Sequence, residues 1–311
     1  MRGRDGPASQ AARLPPISRL PVSKSKAQRM QGKVVVVTGG TSGIGQVAAE
    51  RLAALGARIV LVARDPVRAD AALARLREAN GEADHTVHLA DLSSIAATKT
   101  VAARIAVAEP RIDVLINNAG ALFNRRELSP DGLEMTFAVN HMAYFVLTEG
   151  LRERLATTPR SRVVSTASGA HQGAKLDMDD LQSAKAYSGF AVYGRSKLCN
   201  ILWTREAARR FDGAGVSVNC LHPGFVATRF GDRSGGFLQL LMPLAKRLAI
   251  TPEKGAETIV YLASSPEAAG VSGKYFYQNK AIEPSLEAQD DALAAWLWAQ
   301  SEKLARAGAR V

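Results

Sequence analysis

A single α/β domain, built as a doubly wound parallel sheet of about seven strands with helices on both faces, is what this sequence predicts, and three observations predict it. From Gly32 onward, short runs rich in valine and isoleucine alternate with longer stretches of helical period, the pattern of strands buried on both sides. Each strand-to-helix repeat takes roughly thirty residues, the size of a βαβ unit. No linker or break in composition divides the series, so the chain reads as one domain at 32–311 behind a leader at 1–31.

The elements follow in order. Val34 to Val37 head a first strand at 33–38, and a glycine cluster leads from it into an alanine-rich helix near 43–55. Further strands are expected at 57–63, 84–90, 111–117, 160–166, 215–221 and 273–278. The intervening helices are expected near 66–79, 93–108, 131–156, 186–211 and 252–265, with a C-terminal helix near 287–307. Right-handed crossovers would then gather the ligand-binding loops at the carboxyl ends of the strands, where the winding direction reverses.

Composition narrows the function. The longest uninterrupted apolar runs fall far short of the roughly 18 residues of a membrane-spanning helix. Two cysteines, Cys199 and Cys220, offer neither a disulfide framework nor a zinc site, which suits reduced thiols in the cytoplasm. Of the net charge of +11, the first 33 residues hold eight basic side chains against one acid, Asp5, leaving only +4 for the remainder. The basic excess thus sits on a proline-interrupted leader, expected to be a solvated tail, with organelle targeting as its alternative. That leader lacks the interleaved aromatic residues of a nucleic-acid surface, so no nucleic-acid partner is expected.

The first strand runs into Thr38-Gly39-Gly40-Thr41-Ser42-Gly43-Ile44-Gly45. Glycines between a strand and a helix permit a tight turn and close backbone approach, so that a pyrophosphate can sit on the unpaired N–H groups of the helix N-terminus. A dinucleotide is the expected ligand. The second strand ends without the acid that would hold both ribose hydroxyls of NAD, and Arg64 follows instead, able to pair with a 2′-phosphate. NADP(H) is therefore preferred over NAD(H). Asp91-Leu92, at the end of the third strand, could bracket the adenine, and Asp91 could also cap the next helix.

Tyr193 and Lys197, four residues apart in an expected helix, share one face one turn apart. An ammonium beside a phenol stabilises the phenolate, so the pair suits proton transfer near neutral pH once an oxidised nicotinamide adds its charge. Taken with Thr38 to Gly45, Asp91-Leu92, Asn117-Asn118-Ala119-Gly120, Asn140, Ser168 and Pro223-Gly224, this pair occurs in the order and spacing found in short-chain dehydrogenase/reductases. Over about residues 32–280 the sequence resembles that family, and most closely its retinol-dehydrogenase-like branch, which includes the WW-domain oxidoreductases. RVVSTASGAH, DMDDLQ and FAVYGRSKL carry the closer likeness.

The resemblance implies a Rossmann-type fold and roles for particular residues. Tyr193 would exchange a proton with the substrate oxygen, Lys197 would hold the nicotinamide ribose and lower the tyrosine pKa, Ser168 would hydrogen-bond the reacting oxygen, and Asn140 would support a water-linked proton relay. Gly39, Thr41, Ser42, Gly43, Ile44 and Gly45 would line the pyrophosphate, joined along the cofactor by Asn118, Ala119, Gly120, Pro223, Gly224, Val226 and Thr228. It also implies a substrate lid near 229–250, where Phe237, Leu240, Leu241 and Leu244 recur at helical spacing and could cover a lipophilic carbonyl or alcohol. Lys246 and Arg247 allow peripheral membrane contact, and a homodimer is the default assembly.

Two departures from the family pattern stand out. Ser165-Thr166-Ala167-Ser168 replaces the usual Asn-Val-Ser-Ser, which puts the active hydroxyl at Ser168. Ser42 occupies the place before Gly43 where NADP-preferring members often carry a base, so the cofactor preference leans on Arg64. Other chemistries fit worse. His85 and His88 stand at odd separation on one expected strand and point to opposite faces, which suits packing rather than a metal pair. Gly194-Arg195-Ser196-Lys197-Leu198 fails the nucleophile-elbow pattern at its last position, and Cys199 reads as a packing residue. The competing reading is a non-catalytic dinucleotide-binding regulator or scaffold, against which the complete Asn-Ser-Tyr-Lys set stands.

Overall fold

A computed structural model of the chain describes residues 29–224 and 250–308. The leader up to residue 28, Val226, Thr228 and residues 229–249 of the expected lid lie outside the described residues. The sheet has eight strands in the order β3-β2-β1-β4-β5-β6-β7-β8. They are β1 (Val34–Thr38), β2 (Arg58–Ala63), β3 (Thr86–Leu89), β4 (Val114–Asn117), β5 (Arg162–Thr166), β6 (Ser217–Leu221), β7 (Tyr275–Tyr277) and β8 (Lys280–Ile282). All pairs are parallel except β7–β8, a short antiparallel hairpin whose turn residues Gln278 and Asn279 both take positive φ. The expectation of about seven strands missed this exposed edge strand. Three residues leave too little alternation to read.

The strands alternate between two cores. Val34 and Val36 of β1 face a layer formed by α3 (Ile95–Ala108), α4 (Met135–Phe137, continuing through Ala138–Met142 to Ala143–Gly150) and α6 (Gly189–Arg210). Val35 and Val37 face the opposite layer, formed by α1 (Gly43–Ala54), α2 (Pro66–Ala79) and α7 (Glu257–Ser264). Burial on both faces explains why these strands read as unbroken apolar runs. The C-terminal helix α8 (Asp291–Ala307) lies over α6 and α4, with Trp298 edge-on to Phe145 at 5.0 Å between ring centroids and Lys99 Nζ donating to the Ala305 carbonyl at 2.6 Å. Ordered chain extends ahead of Gly32, since Met30 is buried in the second core and its N–H bonds the Leu55 carbonyl.

Two helix expectations are revised. The single helix predicted at 131–156 is broken at Leu151, whose φ of −104° and ψ of 3° leave α-helical geometry before α5 (Arg152–Thr157) starts. Within α4 the segment Ala138–Met142 is π-helical, a local widening that often marks functional positions. The cap of α3 is Ser94, whose hydroxyl accepts from Ala97 N, and not Asp91. Asp91 instead accepts from the N–H and hydroxyl of Ser93, closing a turn one step earlier. Among the described residues no helix is long and apolar enough to cross a membrane.

Candidate active site

The sheet order reverses between β1 and β4, and the turns that leave the carboxyl ends of β1, β4 and β5 meet beside this switch point. The turn after β1 is tied to the turn after β4 through one side chain. Thr38 Oγ1 accepts from the Asn118 and Ala119 N–H groups at 2.9 and 3.0 Å. Asn118 Nδ2 returns the contact to the Thr38 and Gly39 carbonyls at 3.3 and 3.2 Å, and Thr166 Oγ1 donates to Asn118 Oδ1 at 3.2 Å. Three strand ends thus become one platform. Thr38 and Thr166 escaped sequence reasoning as members of it, although each is the last residue of its strand.

Two glycines of the loop have separate physical tasks. Gly43 starts α1 at φ +58°, a conformation that L side chains rarely adopt. Gly45 packs so close to the platform that a Cβ would lie 2.2 Å from Asn118 Nδ2. Ser42, the N-cap, makes no side-chain capping bond, and the first turn of α1 holds no acid, so the helix N-terminus presents its unpaired N–H groups to an anion. These features fit a pyrophosphate. Arg64 is exposed just past β2 and has no hydrogen bond or ion pair among the described residues, whereas the neighbouring Asp65 caps α2 by accepting from Arg68 N at 3.0 Å.

The four residues singled out for chemistry converge beside this platform. Helix α6 brings in Tyr193 and Lys197. Lys197 is 2% exposed, and its Nζ donates to the Thr166 carbonyl at 2.9 Å. It lies 5.6 Å from the centroid of the Tyr193 ring and 5.7 Å from that of Tyr144, so two aromatic faces bracket the amine. Burial draws the lysine down to about 7. Burial pushes the Tyr193 phenol up to about 12, with a hydrogen bond from Ser168 working the other way. The protein alone therefore keeps the phenol protonated at neutral pH. The lowering expected from the sequence included the charge of an oxidised nicotinamide.

Ser168 follows β5 and caps the turn Gly169–His171, with its Oγ accepting from Ala170 N at 3.2 Å. Asn140 sits in the π-helical segment, fully buried, where its Oδ1 accepts from Ala121 N at 2.8 Å. Its Nδ2 donates to the Ala121 carbonyl and to Ser196 Oγ, each at 2.9 Å. Both amide hydrogens are used in clamping the Gly120–Ala121 turn to α6, which leaves the side chain one oxygen lone pair for water. Ser196, three residues after Tyr193 and bonded to its carbonyl at 2.7 Å, completes the clamp. Its position inside the Tyr193–Lys197 turn was the signal that could have revealed it.

The remaining candidates fall out as packing residues. His85 Nδ1 accepts from Ile59 N at 3.0 Å and its Nε2 lies 3.1 Å from the Asn80 carbonyl, so it fastens the chain before β3 to β2. No group of metal-ligating side chains forms among the described residues. Cys199 and Cys220 are buried free thiols, pushed up to about 12 by burial.

A switch-point platform, an open helix N-terminus and a Tyr-Lys-Ser group meet at the same strand ends, and the chain belongs to the short chain dehydrogenase family, whose profile matches residues 33–235. Within that family it is an oxidoreductase of the retinol-dehydrogenase-like branch. Retinol dehydrogenase 14 of Homo sapiens is 40% identical over 290 residues, covering 88% of this chain and 86% of its own. The WW domain-containing oxidoreductase of Pongo abelii is 36% identical, over 88% of this chain and 68% of its own. Among solved structures, a short chain dehydrogenase from Burkholderia cenocepacia in complex with NADP matches with a TM-score of 0.64 and 28% identity, over 80% of this chain and 96% of its own.

Proposed function

We propose that this enzyme interconverts an aldehyde or ketone with its alcohol on a lipophilic substrate, using NADP(H), with Tyr193 as the acid and base. The meeting of Tyr193, Ser168 and Lys197 at the carboxyl edge of β5 is the observation that carries this reading. When bound, the nicotinamide supplies or accepts the hydride. Ser168 Oγ receives the Ala170 N–H and points its own hydrogen at Tyr193, and that hydrogen turns to the substrate oxygen when the substrate arrives beside the phenol. Tyr193 gives its proton to that oxygen as the alcohol forms and takes it back in the reverse direction. Lys197, held on the Thr166 carbonyl, stabilises the phenolate left behind.

The unpaired Arg64 supports NADP(H), because a guanidinium with no partner among the described residues is free to take a 2′-phosphate. The Burkholderia relative solved with NADP supports the same preference. Support for a lipophilic substrate comes from the apolar residues of the 235–245 segment and from relatives named retinol dehydrogenases. The test is a panel of short polar and long apolar carbonyls, retinoids and steroids among them, assayed with NADPH and NADH on wild-type and Tyr193→Phe protein. The variant should lose about 10²–10⁴-fold in turnover while binding NADPH normally, since only the proton-transferring hydroxyl is gone. Near-wild-type turnover would remove Tyr193 from the reaction, and equal efficiency on short polar carbonyls would remove the lipophilic assignment.

A further inference from the structure

Three residues beyond Ser168 stands His171, fully buried although it belongs to a surface turn. Both ring nitrogens are engaged. Nδ1 lies 2.7 Å from the Ser168 carbonyl oxygen, and Nε2 accepts the Ser285 N–H at 3.2 Å. The second bond fixes the tautomer, because a backbone N–H must meet a lone pair. Nε2 is therefore bare, and the proton sits on Nδ1, where it is donated to Ser168. Burial lowers the pKa of the imidazole and so preserves this neutral form. Tyr275 of β7 closes a third side, its ring edge-on at 5.1 Å and its hydroxyl 3.4 Å from Nδ1.

Besides the imidazole, the Ser168 carbonyl accepts the His171 N–H at 3.2 Å and its Oγ accepts the Ala170 N–H at 3.2 Å, both from within the same turn. The turn it caps is a single 3₁₀ turn of three residues, Gly169–His171, too short to fix its own geometry. The imidazole joins that turn to the 285 segment and, through Tyr275, to the sheet. We propose that His171 is a positioning residue whose Nδ1–H bond to the Ser168 carbonyl sets the direction in which Ser168 Oγ meets Tyr193 and the substrate oxygen. This inference rests on the reading of Ser168 as the hydroxyl that binds the reacting oxygen.

The two nitrogens can be separated by substitution. His171→Asn keeps an amide N–H near the Nδ1 position, so the donor to Ser168 survives. His171→Gln reaches the Nε2 position instead, keeping a partner for Ser285 while losing that donor, and His171→Leu loses both. These full-length variants are compared with wild type and Ser168→Ala by kcat, KM, NADPH affinity and thermal melting. His171→Gln and His171→Leu should lose about tenfold in kcat with NADPH affinity unchanged, and His171→Asn should return to within about threefold of wild type. If kcat instead follows melting temperature, with His171→Asn no better than His171→Leu, the histidine only supports the fold and the proposal is wrong. Should His171→Leu fail to fold, the Asn and Gln pair decides, and failure of the Asn variant to fold also overturns the proposal because the retained donor would not suffice. Wild-type turnover in Ser168→Ala would defeat the functional reading itself. Loss in Ser168→Ala beside unchanged histidine variants would defeat this inference alone.

Discussion

Lys197 is a buried amine on helix α6. A nearly fully buried amine drawn down to about 7 is costly to ionise, and the sign of its contribution to stability follows. Below pH 7 the folded chain carries the full penalty of a desolvated ammonium, and that penalty fades as pH rises toward 10.5, where the unfolded lysine is neutral too. Lys197→Met should therefore melt at a higher temperature than wild type, with a gap widest below pH 7 and closing toward 10.5, while turnover collapses. A variant that melts lower at pH 6 would show that the amine stabilises the fold. Arg64 is the opposite case, exposed and without a partner among the described residues. Arg64→Asp should weaken NADP(H) by about ten- to hundred-fold and relatively favour NAD(H), since a carboxylate repels phosphate and accepts ribose hydroxyls. Preference for NAD in the wild-type enzyme would overturn the assignment.

At the level of elements, the site depends on how closely α1 approaches the turn after β4. The Thr38–Asn118 bonds hold that turn, and Gly45 leaves no room for a side chain against it. Gly45→Ala would place a methyl 2.2 Å from Asn118 Nδ2, forcing the turn or the helix to move. Overpacking of this kind costs about 1–3 kcal/mol. The variant should bind NADPH at least tenfold more weakly and melt several degrees lower. Unchanged binding would mean that the platform gives way freely and does not set the pyrophosphate position. The π-helical segment of α4 has a similar role, since it carries Asn140 to the point where one amide clamps Ala121 and Ser196 together.

For the molecule as a whole, histidine burial predicts a loss of stability in mild acid. All five histidines, His85, His88, His141, His171 and His222, have pKa values lowered by desolvation, His141 to about 3 and His222 to about 4. Unfolding releases each to its ordinary value of 6.5, so the unfolded chain binds more protons and stability is lost as pH falls through that value. The melting temperature should fall continuously from pH 7 to pH 5, and His141→Phe should lessen the slope. A melting temperature that stays level across this range would contradict the burial of these rings. Buried carboxylates such as Asp113, held low by Arg111, the Val34 N–H and Lys33, add their share only at lower pH.

What the sequence determined by itself was the periodic part of the molecule. Apolar runs between helical stretches located strands β1 to β7 and their parallel pairing, and burial on both faces made the signal strongest in β1, β2 and β4. Glycines after β1 and the Tyr193–Lys197 spacing were legible too, since a turn that needs positive φ and a one-turn separation are local facts. Tertiary structure alone decided the rest. Thr38 and Thr166 acquire their partners only when separate strand ends meet, and Ser196 and His171 reach Asn140 and Ser285 only across the fold, at sequence distances that no local pattern encodes. The pKa values of Tyr193 and Lys197 are decided there as well, because desolvation depends on what the whole chain stacks around a group and not on its neighbours in sequence.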